Sequence, residues 1–193
     1  SVMESLGRTL MLFADHSSAS ATAPTPEDWH RLLGVPLEMF IRLGFALHVA
    51  ALSNGGSIER ATLRRHDLAQ LFTPYTPAEA IEVVDRHFAA TPEQMRSVGI
   101  AKEVRGLEKW SFNPLSATPL VILRDERYVM PSPRMVLDRI SPAGLYFIGF
   151  DAFGRRFTDS LGKMFESYVG AHLQLLRHAT IEPEIVYGAS NER

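Results

Sequence analysis

The stretch Phe157–Tyr187, FTDSLGKMFESYVGAHLQLLRHATIEPEIVY, decides how the chain is read, because it is a long amphipathic helix running into strand-forming sequence. Phe157, Leu161, Phe165, Tyr168, His172 and Leu176 recur at three- and four-residue spacing, and Val169 and Leu173 widen the stripe. That pattern predicts one helix face turned toward a core. Gly162, Glu166 and Gly170 form a second line at four-residue spacing, so the Glu166 carboxylate has a residue without a side chain one turn above and one turn below it. Each glycine destabilises a helix by roughly 1 kcal/mol relative to alanine, so the line points to a packing or site requirement. His178 and Ala179 close the predicted helix. Ile181, Ile185, Val186 and Tyr187 favour a strand whose first half Pro183 places at an edge.

Upstream, three Thr-Pro pairs mark helix starts: Thr25-Pro26, Thr76-Pro77 and Thr91-Pro92. In each, the threonine oxygen can accept from a free backbone N–H, proline suits the first helical position, and Asp28, Glu79 or Gln94 completes a capping box. Met3 to Ala14 reads as a further helix, and 16–24, HSSASATAP, as a flexible loop. Gly34 stops the helix begun at Thr25; Pro36 opens a longer one that Asn54-Gly55-Gly56 ends. Ser57 is expected to cap a helix carrying Arg60, Arg64 and Arg65, which with His66 form the most basic short cluster and a candidate nucleic-acid contact.

From Trp110 the pattern changes. Leu120–Leu123 and Tyr128–Met130 flank the charged turn 124–127 and predict a hairpin. Pro133 and Ser141-Pro142 introduce two short helices, the second carrying Leu145, Tyr146, Phe147 and Ile148 as core. Gly154-Arg155-Arg156 then leads into the helix quoted first.

A chain of 193 residues, 46% hydrophobic, can bury a substantial core. Its net charge of −2 provides no general attraction to nucleic acid or anionic membranes. Having no cysteine, it has no disulfide, thiolate metal site or cysteine nucleophile, which fits a reducing compartment and an expected cytoplasmic location. Neither a signal peptide nor an apolar run long enough to span a bilayer is evident. HExxH, GxSxG, GxxxxGK[ST] and a strand-linked GxGxxG are all absent, and no metal ligand is assigned. Glu82, Asp85 and His87 are close in sequence, but their spacing does not put all three on one helix face.

Phe157, Leu161-Gly162, Phe165-Glu166, Tyr168-Val169 and the later Glu184 and Tyr187 together form a pattern that resembles the entry into a restriction-endonuclease-like domain of the PD-(D/E)XK nuclease superfamily. The residues read as a predominantly helical α+β chain, with a helical module over 1–110 and a hairpin with connecting helices over 111–150, and the resemblance implies that 151–193 is the first helix and strand of a nuclease-like core. In that superfamily the strands that follow carry an Asp and a Glu-x-Lys triplet that bind magnesium for DNA hydrolysis. Neither can be assigned here before Arg193, so Glu166 is at most an accessory acid, and Mg2+ and DNA are implied for a full-length form only. The resulting expectation is an amino-terminal fragment of a metal-dependent DNA nuclease, inactive alone. The alternative is a non-enzymatic helical module for protein interaction or oligomerisation.

Overall fold

A computed structural model describes residues 2–65, 70–102 and 112–176. The predicted strand at 181–187, with Glu184 and Tyr187, lies outside the described residues, as do the helix end at His178–Ala179, His66 and Trp110.

The chain enters through α1 (Val2–Leu10), which widens into a π-helical turn over Met11–Asp15. Helix α2 (Pro26–Leu33) follows, then α3 (Leu37–Ser53). Gly34 ends α2 at φ +82, the left-handed conformation glycine tolerates, and its N–H donates to the His30 carbonyl at 2.8 Å. Strand β1 (Ser57–Glu59) and a 3-10 turn over Arg60–Arg64 come next, then α4 (Pro77–His87), β2 (Ala89–Ala90) and α5 (Pro92–Ala101). Strands β3 (Leu120–Ile122) and β4 (Arg127–Val129) precede α6 (Pro133–Arg139), α7 (Pro142–Phe153) and α8 (Arg155–Leu173). The described residues thus form a mostly helical α+β fold with a small mixed sheet.

All three Thr-Pro starts form reciprocal capping boxes. The threonine hydroxyl oxygens accept from the N–H groups of Asp28 (3.1 Å), Glu79 (3.3 Å) and Gln94 (3.3 Å), whose side chains accept in return from the threonine N–H groups. Ser57 is different. It lies in β1, paired with Val129, and Arg60–Arg64 is a 3-10 turn where the sequence predicts an α-helix. A cap is satisfied by its own neighbours, whereas β1 exists because Ile58 lies opposite Tyr128 across the ladder, a pairing invisible to local sequence.

The predicted hairpin forms, with Ile122 opposite Tyr128, but it is the centre of a four-stranded sheet in the order β1-β4-β3-β2. Strand β2 pairs with β3 in parallel, Ala89 opposite Leu120. The sheet therefore joins two segments from before residue 110 to two from after it.

Helix α3 is the spine of the core: Phe40, Ile41, Leu43, Leu47 and Ala51 are all buried. Burying each large apolar side chain stabilises the fold by roughly 1.5–3 kcal/mol. Gly44 lets α6 approach, since a Cβ there would lie 2.5 Å from Ile140 Cγ2. Trp29 joins the π-helical turn to α8, its ring centroid 5.9 Å from Phe13 and 6.1 Å from Phe157. Residues 16–24, read from sequence as a flexible loop, are anchored on α8: His16 Nδ1 is 2.9 Å from Ser167 Oγ, and Arg156 Nε donates to the Thr22 carbonyl at 3.1 Å. In α7, Leu145 and Ile148 are buried as expected, but Phe147 is exposed.

The face of α8 that meets the core is rotated from the one predicted. Phe157, Ser160 and Met164 are buried, with Leu161 and Tyr168 partly buried beside them. Phe165, His172 and Leu176, which the predicted stripe placed inward, are exposed. Ser160 is tolerated inside because its hydroxyl donates to the Phe157 carbonyl at 2.9 Å.

Candidate functional site

Glu166 sits on the outer face of α8, exposed, with no ion-pair partner within 4.0 Å among the described residues. A Cβ added at Gly162 or Gly170 would meet nothing within 4 Å. Phe165, 54% exposed, and Leu173 continue the same face. The helix is therefore two-sided. Its Phe157–Ser160–Met164 side closes the module, and its Gly162–Phe165–Glu166–Gly170 side is open among the described residues.

The three arginines of the basic cluster are placed differently. Arg60 turns inward: its Nη2 donates to Asp85 Oδ2, and its Nε donates to the Tyr128 hydroxyl at 3.0 Å. The Tyr128 hydroxyl in turn donates to Asp85 Oδ1 at 2.7 Å, and burial raises its pKa above the usual phenol value. This triangle ties the 3-10 turn after β1, helix α4 and strand β4 together. Arg64 and Arg65 are exposed on that turn.

Beside the triangle, Glu59, Arg60, Ala61, Asp125, Glu126 and Arg127 line an open polar cleft of about 420 Å³. Three carboxylates face two guanidiniums there: Arg127 Nη2 is 2.6 Å from Asp125 Oδ2, and Arg60 Nη1, whose guanidinium also pairs with Asp85, is 4.0 Å from Glu126 Oε1.

Glu82, Asp85 and His87 do not converge. Glu82 pairs with Arg86, Asp85 with Arg60, and His87 is buried. Among the described residues no group of three His, Asp or Glu side chains could hold a metal ion. His48 Nδ1 is hydrogen-bonded to the Pro133 carbonyl at 2.9 Å, and His172 Nδ1 to the Tyr168 carbonyl at 2.9 Å, so both act as local struts.

An apolar groove of about 520 Å³ lies along α3, between Phe45, Ala46, Val49 and Ala50 on one wall and Leu71 and Thr73 on the other, with Arg42 at its rim. Val49 and Leu71 are 45% and 51% exposed. Sequence reasoning missed both this groove and the Arg60–Asp85–Tyr128 triangle. Val49, an apolar residue of α3 off the Leu43–Leu47–Ala51 stripe, is the sequence signal for the groove; the triangle joins residues 25 to 68 positions apart and leaves no local trace. No single described helix is long and apolar enough to cross a membrane.

Comparison with protein-family models, with curated proteins and with solved structures found no match.

Proposed function

We propose that this chain is the helical module and first core helix of a nuclease-like protein of the PD-(D/E)XK type, one that hydrolyses DNA with Mg2+ held by carboxylates outside the described residues. The observation that supports this reading is the two-sided α8. One side is consumed by Phe157, Ser160 and Met164 against the module, and the other offers, among the described residues, Gly162 and Gly170 with open space above them around a Glu166 that has no ion-pair partner. A helix with that open face is suited to lie against a sheet at close range, with its acid directed to the seam. Hydrolysis needs several oxygen ligands converging on one ion. Glu166 alone is one, so the described residues are inactive by themselves and Glu166 is an accessory acid. The test is plasmid nicking in Mg2+ with an EDTA control. The full-length gene product nicks DNA and this chain does not; robust cleavage by this chain, abolished by Glu166→Ala, overturns the reading.

A second reading, a non-enzymatic interaction module, is favoured by the α3 groove, where Val49 and Leu71 remain exposed around an apolar channel. Sedimentation of the chain separates the two. Concentration-dependent self-association abolished by Ala46→Arg, with no nuclease activity in any form of the protein, selects this reading over the first.

A further inference from the structure

The carboxyl end of α4 is a crossing point. His87 is its last residue and is 9% exposed; its ring meets the Phe40 ring of α3 edge-on with centroids 5.7 Å apart and lies beside the backbone of Leu33 at the end of α2. From α6, Arg139 Nε donates to the His87 carbonyl at 3.3 Å. Four helices thus meet around one imidazole and its backbone.

The Nε2 atom of that ring is buried and has no hydrogen-bond partner among the described residues. In the neutral tautomer that donates from the other ring nitrogen, Nε2 is a bare acceptor, the cheapest kind of buried polar atom to leave unmet. Proton uptake from solvent changes both properties. It makes Nε2 a donor with nothing to donate to, and it places a full positive charge where the charged neighbours are the guanidiniums of Arg139 on α6 and Arg86 on α4. From α3 the ring faces Phe40 and from α2 it faces backbone, so no described carboxylate offsets the new charge.

We propose that His87 is an acid-sensitive latch for the helical module, closed while its ring is neutral and released when the ring takes up a proton. Burial first, then Arg139 and Arg86, depress its pKa from 6.5 to about 4 in the folded chain. A histidine whose folded pKa is depressed contributes stability that is fully present above its unfolded value. That contribution drains away as pH falls from about 6.5 toward 4.

Two measurements on the whole chain decide the proposal. In NMR titration of the histidine side chains, the His87 ring of the folded protein stays neutral down to about pH 4. In denaturant unfolding, the equilibrium constant of the parent chain rises about 25-fold more between pH 7 and pH 5 than that of His87→Gln, whose side chain keeps hydrogen-bonding capacity and does not titrate. A His87 ring that titrates near 6.5 in the folded state overturns the latch, as do parallel pH profiles for the parent and His87→Gln. Should His87→Gln not fold, the ring titration alone decides.

Discussion

The Tyr128 hydroxyl donates to Asp85 Oδ1 at 2.7 Å, binding the inner strand β4 to helix α4 while Arg60 bridges both partners. Tyr128→Phe removes one hydrogen bond but leaves Arg60 and Asp85 paired, so it destabilises the chain by about 1 kcal/mol. Asp85→Ala leaves a half-buried guanidinium without its carboxylate and destabilises by about 2 kcal/mol. Urea unfolding of the two variants checks the order; equal losses contradict it.

Gly149→Ala is predicted to destabilise by about 2 kcal/mol despite alanine's better helix propensity, because the new Cβ would sit 2.5 Å from Phe157 Cζ and push α7 from α8. Gly162→Ala, with nothing within 4 Å, stabilises the same chain by about 0.5–1 kcal/mol. Thermal unfolding of the pair reads both signs at once.

Thr76→Ala removes the oxygen that accepts from the Glu79 N–H and is predicted to cost about 1 kcal/mol, measured as a lower urea midpoint with an unchanged slope. Thr76→Ser retains the acceptor and most of the stability.

These three predictions differ in how far the sequence announces them. Thr76 is legible because a capping box is complete within four residues, and the hairpin is legible because its strands flank its own turn. Strand β1 is not, since a serine ahead of Ile58 and Arg60 looks equally like a helix cap until Tyr128 is placed opposite Ile58. Strand β2 is only two residues, Ala89 and Ala90, held by parallel pairing to β3. Helix α8 shows a subtler limit. Its apolar residues lie on both sides, so periodicity announces a buried face without saying whether Ser160 and Met164 or Phe165 and Leu176 form it. Packing against Phe13 and Trp29 at Phe157 selects the first. Glu166 and its glycine neighbours stand on the helix as the spacing predicts. Arg60, grouped by sequence with Arg64 and Arg65, is claimed by Asp85, an interaction 25 residues away.

The open face of α8 carries the functional reading, and a chain without cysteine allows it to be probed at one atom. Gly162→Cys is placed in this chain and in the longer protein that the proposed reading requires, and maleimide labelling at that position is followed by mass spectrometry. A nuclease-like core seated on α8 predicts fast labelling here and at least about tenfold slower labelling in the full-length protein, as expected when a side chain passes from solvent into a packed seam. Equal rates in the two proteins contradict the claim that this face of α8 is the seam.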